Sequence, residues 1–195
     1  SLQALFPGRE RLTPRAPLSQ PGLFLAEERV DVLGPRERLA AVPVVGPLRE
    51  RPQVEVCQSD EFRLGLDAPR RPSGRLDDAA PVTLVGPGGS LSLAAALINP
   101  MRHLHLDPAD ARARGLRDGD RLTARVERSG AGERPLEGVL VRVQPGARPE
   151  LHVDEDEARA LGLPAPPPGE VLWTVPGASV RLLRRRPTLR LEPKG

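Results

Sequence analysis

Three stretches of this chain repeat one alternation of apolar and polar positions. They begin at Val54-Glu55-Val56, His103-Leu104-His105-Leu106 and Leu151-His152-Val153, and each carries the two-residue period of a strand. A helix-start signal follows each run: Ser59 or Asp60 in the first, Asp107 with Pro108 in the second, Asp154 or Glu155 in the third. Side-chain oxygens at such positions satisfy free backbone N–H groups, and proline is pre-shaped for the first helical turn. Each predicted helix is short and stops at a glycine followed by leucine: Gly65-Leu66, Gly115-Leu116 and Gly162-Leu163. The unit reads as strand, cap, short helix, glycine stop, leucine. Glu55, His105 and His152 stand at the same distance from their terminating glycines.

A second echo extends the repeat. Val32-Leu33-Gly34-Pro35 and Val45-Gly46-Pro47 precede the Glu55 strand, much as Leu84-Val85-Gly86-Pro87 and Asn99-Pro100-Met101-Arg102 precede the His103 strand. Strands broken by Gly-Pro at this spacing predict a mainly β chain of two small, related β-barrel domains with short capping helices. The repeats are too few and irregular for a solenoid. The expected boundaries are 1–100 for the first barrel region, 101–163 for the second, and 164–195 for a proline-rich linker with a hairpin or tail. Ser1 to Gly8 resembles the back half of the same helix-and-stop unit, so the strand that should precede it is expected to be missing. Pro164 to Gly169 reads as a stiff linker. Glu170 to Val175 and Ala178 to Leu183 read as a hairpin or a docked tail.

Composition narrows the function. Among 195 residues there are 24 prolines, Trp173, three phenylalanines and no tyrosine, so the core must be built from Leu, Val and Ala. The net charge of +3 balances 29 basic against 26 acidic residues, and the one basic cluster is Arg181 with Arg184, Arg185 and Arg186. Nucleic-acid binding calls for a basic stripe or stacking aromatics, and the second is missing, so no nucleic-acid partner is expected. No stretch is long and apolar enough to span a membrane, and none resembles a signal peptide. The single cysteine, Cys57, excludes an internal disulfide framework and fits a reducing compartment, so a cytoplasmic location is expected.

All three histidines lie in the repeat positions. His103 and His105 are two apart on a predicted strand, so both imidazoles leave one face while Leu104 and Leu106 leave the other. With His152 from another strand they make a three-histidine set with an open fourth position, the pattern of catalytic zinc. The competing reading makes His103 and His105 surface polar residues of a half-exposed strand. Glu55 reads either as a solvent-facing glutamate or as a partner of Arg49. Arg49 reads as an anion clamp or as one arginine among many. Cys57 is expected as a small buried hydrophobe rather than a nucleophile.

In order along the chain come Leu12-Thr13-Pro14-Arg15, Leu18-Ser19-Gln20-Pro21-Gly22, Glu27-Glu28-Arg29-Val30, Val45-Gly46-Pro47, Gln53-Val54-Glu55-Val56, Arg102-His103-Leu104-His105, Leu116-Arg117-Asp118-Gly119-Asp120 and Gly138 to Val143. Together they resemble the PduL-type phosphate acyltransferases of bacterial microcompartments, over roughly residues 1–163. The resemblance implies two β-barrel domains with a di-zinc site between them. It also implies conversion of acyl-CoA and phosphate to acyl phosphate and free coenzyme A. It assigns one zinc ion to His103, His105 and His152, and the other to Glu55 with an N-terminal HxH pair that falls before the first residue of this chain. Two zinc ions are thus expected from the family, and one is fully supported by this sequence. It further implies an essential Arg49, and a serine near the site matching Ser73-Gly74. Asp107 replaces the family's usual serine, Arg159 stands in place of a common asparagine near the coenzyme A site, and the tail beyond Pro164 is not a family feature.

The mechanism this implies is direct displacement, with Arg49 and zinc positioning phosphate for attack on the thioester carbonyl. The alternatives are a divergent single-zinc homologue acting as a coenzyme A-binding or structural partner, and an unrelated zinc hydrolase. Acyl-CoA and phosphate are the expected partners, with no membrane; a homodimer, shell or cargo proteins and a microcompartment lumen are left open.

Overall fold

A computed structural model describes residues 2–128, 132–164 and 178–183. The chain is mainly β, with two sheets and four short helices among the described residues.

The first sheet takes its strands from β1 (Pro14–Pro17) to β7 (Gly89–Pro100). The path runs β1, β2 (Phe24–Leu33), β6 (Ala80–Gly86), β7, β4 (Val54–Glu55). β3 (Arg38–Gly46) joins β2 as a hairpin, and β5 (Arg70–Arg71) pairs with β7. Leu5, Val30, Val32, Val54, Leu64, Val82, Leu84 and Leu97 fill the core beneath it. Their alternation along β2 and β6 is the period of a sheet with one wet face.

The second sheet is ordered β11 (Glu150–His152), β8 (His103–Leu106), β10 (Gly132–Val143), β9 (Arg121–Arg128), β12 (Ala178–Leu183). Its core is Leu104, Leu106, Leu122, Ala124, Val126, Leu136, Val139, Val141 and Leu161. β8 runs parallel to β10 and antiparallel to β11. The pairings among the described residues form an open path in each sheet. β12 pairs antiparallel with the β9 edge, so the Ala178–Leu183 segment is a strand of the second sheet. Pro164 is described, but the rest of the expected linker and the Glu170–Val175 half of the expected hairpin lie outside the described residues.

The helices sit where the repeat places them. α1 (Leu2–Leu5) opens the described chain, followed by α2 (Gln58–Leu64), α3 (Pro108–Arg114) and α4 (Glu155–Ala160). Asp107 caps α3 by accepting from the Ala109 N–H, with Pro108 in its first turn. Asp154 caps α4 in a full capping box with Glu157. α2 differs from expectation. Cys57, not Ser59 or Asp60, stands at its N-cap and makes no side-chain cap. The oxygens of Ser59 and Asp60 lie instead 3.2 and 3.4 Å from the Cys57 sulfur. Gly65 and Gly115 end α2 and α3 in the left-handed conformation, at φ of 70° and 60°.

Gly34 shows how tightly the β2–β3 turn seats on α2. Its N–H donates to the Glu37 carbonyl, and the Arg36 N–H donates to the Leu64 carbonyl at 3.1 Å. A Cβ on Gly34 would meet that same carbonyl group, with its carbon only 2.7 Å away. Gly34→Ala is therefore expected to destabilise the chain by about 1–3 kcal/mol through overpacking against backbone. Equilibrium denaturation reads this directly; an unchanged midpoint would show that the turn gives way freely.

Candidate functional site

The three histidines converge through strand register. β11 pairs with β8 so that His152 lies opposite His103, and His105 follows two residues along β8 on the same face. Ring centroids are 4.7 Å apart for His103–His105, 5.0 Å for His103–His152 and 4.7 Å for His105–His152. One nitrogen from each ring lies within 4.8 Å of the other two, which makes this set the one group of three or more such ligands among the described residues able to hold a metal ion. His103 and His105 are buried, so the half-exposed polar strand does not describe them.

The donor set fits a small cation of the zinc type. His103 Nε2 and His105 Nε2 are 3.1 Å apart. Two nitrogens bound to one tetrahedral zinc stand about 3.3 Å apart, given Zn–N bonds of about 2.0–2.1 Å. His103 Nδ1 donates to the Met101 carbonyl at 2.9 Å, which leaves its Nε2 lone pair for the ion. His105 Nδ1 is buried without a hydrogen-bond partner, an orphaned ligand-type nitrogen within the set. Burial, with the neighbouring histidine and arginine charges, pushes His103 down to about 4 and His105 down to about 3. Both rings are therefore neutral at physiological pH, the form that binds metal. A bound zinc ion would be held by His103, His105 and His152.

Around them lies a carboxylate shell. Glu150 Oε2 is 3.3 Å from His152 Nε2. Burial alone would raise Glu150, but hydrogen bonds from Ser19, Gln20 and His152 hold it below the ordinary carboxylate range. Behind the site, buried Glu157 of α4 pairs with Arg102, the residue before His103, at 2.8 Å, and with Arg70 of β5. Asp156 receives the Ser59 N–H and hydroxyl at 2.8 Å each. These contacts, with those of Ser19 and Gln20, tie the α4 side of the second sheet to the elements of the first.

The other sequence-predicted residues form a separate group. Gln53 gathers three of them: its Nε2 donates to Glu55 Oε1 at 2.5 Å and to Ser73 Oγ at 3.0 Å, and its Oε1 accepts from the Gly74 N–H at 2.8 Å. Glu55 is exposed and partnered by Gln53, not by Arg49. Arg49 is exposed and makes no hydrogen bond or ion pair with the described residues. β4 ends at Glu55, and Cys57 beyond it is buried, as expected of a small hydrophobe. Burial pushes the Cys57 thiol up to about 11, so it is protonated and unreactive at neutral pH. Sequence reading missed Gln53, Glu150 and Glu157 as contributors. Gln53 and Glu150 stand two residues before Glu55 and His152, so proximity along the chain was the signal to follow.

A mainly β chain with a three-histidine centre, two of its rings buried, assembled from one sheet and braced by the other half, defines a candidate metalloprotein. The family model described as phosphate propanoyltransferase matches residues 1–164. Similar proteins carry that same name. One from Rhodopseudomonas palustris is 43% identical over 157 residues, covering 80% of this chain and 68% of the relative. One from Shewanella putrefaciens is 40% identical over 163 residues, covering 83% and 75%. One from Thermotoga maritima is 40% identical over 164 residues, covering 83% and 77%. The chain belongs to the phosphate propanoyltransferase family.

Proposed function

We propose that this protein is a phosphate acyltransferase that exchanges coenzyme A for phosphate on a short acyl group, with His103, His105 and His152 as its metal centre. The observation that carries the reading is the convergence of three histidines, two of them neutral and buried, in a chain of this family.

A zinc ion held there supplies Lewis-acid stabilisation of charge developing on oxygen. The chain's own residues do the rest. Arg49, exposed and uncommitted to any described partner, offers its planar fork to phosphate. Gln53 holds the Ser73-Gly74 turn and Glu55 together as one unit, and this reading gives that unit to the binding of substrate. Phosphate attacks the thioester carbonyl and the thiolate of coenzyme A leaves, so no acyl-enzyme forms. The protonated, buried Cys57 supports direct displacement, because it offers no competing nucleophile. We assign residues 1–100 and 101–163 to two domains that meet at this site, and the cytoplasm or a microcompartment lumen as its location. Zinc is the metal of this reading, and acyl-CoA and phosphate are its substrates.

A second reading rests on one observation: among the described residues, no hydrogen bond or ion pair joins Arg49 or Glu55 to the three-histidine group. It makes the chain a single-zinc, catalytically weak homologue that binds coenzyme A or supports an assembly. Zinc content per chain, measured on metal-washed protein, is to be paired with phosphate-dependent release of coenzyme A from a short acyl-CoA. Bound zinc with turnover is the expected result. One zinc without turnover selects the second reading, and no zinc sinks both.

A further inference from the structure

The Leu18–Gly22 motif carries no chemistry in the proposed reaction, yet the structure gives it a partner. Ser19 and Gln20 lie in the loop between β1 and β2, far from His152 along the chain, and both reach the residue two places before it. Glu150 Oε2 accepts from Ser19 Oγ at 2.6 Å and from Gln20 Nε2 at 2.8 Å, and stands 3.3 Å from His152 Nε2. Gln20 is 5% exposed and is itself fixed at both ends of its amide. Its Nε2 donates to the Arg148 carbonyl at 3.0 Å and its Oε1 accepts from the Arg148 N–H at 3.2 Å. The carboxylate thus has little freedom to turn away.

The Glu150 oxygen that already accepts from Ser19 and Gln20 faces His152 as an acceptor too. The proton between Glu150 and His152 therefore belongs to Nε2, which leaves the His152 lone pair on Nδ1. In metal sites a carboxylate on the far ring nitrogen sets both tautomer and ring orientation, and makes the ligand more basic. The same logic already holds for His103, with the Met101 carbonyl as acceptor and the ring nitrogens exchanged.

We propose that Glu150 is the positioning residue of the metal centre: it fixes the tautomer and orientation of His152 so that Nδ1 faces the ion, and Ser19 and Gln20 hold it in place. This rests on the metal reading above. Its consequence is that a loop of the first sheet controls the affinity of a site built on the second, so docking of the 18–22 loop and metal occupancy stabilise one another.

The test is zinc affinity of the metal-free full chain, titrated against a competing chelator. Glu150→Gln keeps the shape of the side chain but weakens the acceptor, and is expected to bind zinc about 10–100-fold more weakly. Ser19→Ala leaves the carboxylate in place with one restraint fewer, and is expected to fall between Glu150→Gln and the unaltered chain. In the zinc-loaded, ¹⁵N-labelled protein, His152 is expected to carry its proton on Nε2 and the metal on Nδ1. A folded Glu150→Gln chain with unchanged zinc affinity overturns the proposal, and so does metal on His152 Nε2. Failure of the unaltered chain to bind zinc at all would instead overturn the metal reading beneath it. Circular dichroism separates a lost site from a lost fold, and Ser19→Ala serves if Glu150→Gln does not fold.

Discussion

His105→Ala is expected to remove zinc from the chain and to lower phosphate-dependent release of coenzyme A by about 10³-fold. The size follows from losing a Lewis acid worth several kcal/mol of charge stabilisation, at about 1.4 kcal/mol per tenfold in rate. The three rings stand at near-equal separations, with His105 4.7 Å from each of the other two, so the set has no spare member. Two remaining histidines leave too few protein ligands for a tight tetrahedral zinc site. The fold should survive, because the ring is not part of the apolar core beneath the sheet. Cys57→Ala is the matched control: if phosphate attacks directly, turnover persists, because a thiol raised to about 11 is protonated at neutral pH. Elemental analysis and a coenzyme A-release assay on both variants check this. His105→Ala protein with the parent rate would remove the three-histidine centre from the reaction, and loss of turnover in Cys57→Ala would restore an acyl-enzyme to consideration.

Leu97→Ala is expected to cost about 2–5 kcal/mol of stability, the range for truncating a leucine in a tight core. Leu97 is 0% exposed and sits on β7, where its backbone pairs with Val54 on one side and Ala80 on the other. The cavity thus opens between three strands, two of which lead directly to Glu55 and Asn99. In a chain of this length unfolding as one unit, each kcal/mol lowers Tm by about 2–4 °C, so a fall of roughly 10 °C is the expected reading. Leu91→Ala, a half-buried position on the same strand, should cost markedly less. Equal costs at the two positions would mean that the core closes around the missing side chain at Leu97.

Much of the architecture was open to sequence reasoning because its signals are local. The Asp107-Pro108 start and Gly115 stop bracket α3, and Asp154 with Glu157 forms a capping box; each acts within a few residues of chain. The alternation of His103, Leu104, His105 and Leu106 carries its own assignment of faces, and the structure puts both leucines in the second core. The start of α2 was misread because Ser59 and Asp60 are good capping residues by type, yet tertiary contacts claim them. Ser59 is held by Asp156 of α4, and Asp60 turns towards Cys57 and Arg63.

By itself, the sequence determined the mainly β class, the three repeat units, the three histidines as one candidate centre and membership of a family. These follow from period, capping chemistry and motif order, which survive in any conformation of the chain. Only the tertiary structure decided that His152 faces His103 across a strand pair, and that Gln53 gathers Glu55 with Ser73 and Gly74. It alone brought Ser19, Gln20 and Glu150 together behind His152, and Arg70 and Arg102 onto Glu157. Each of these depends on strand register or on loops distant in sequence, where the chain carries no periodic signal. A slip of one residue in the β8–β11 register would turn His152 to the opposite face and dissolve the centre. The ligand types are therefore written in the sequence, and their meeting is the work of the fold.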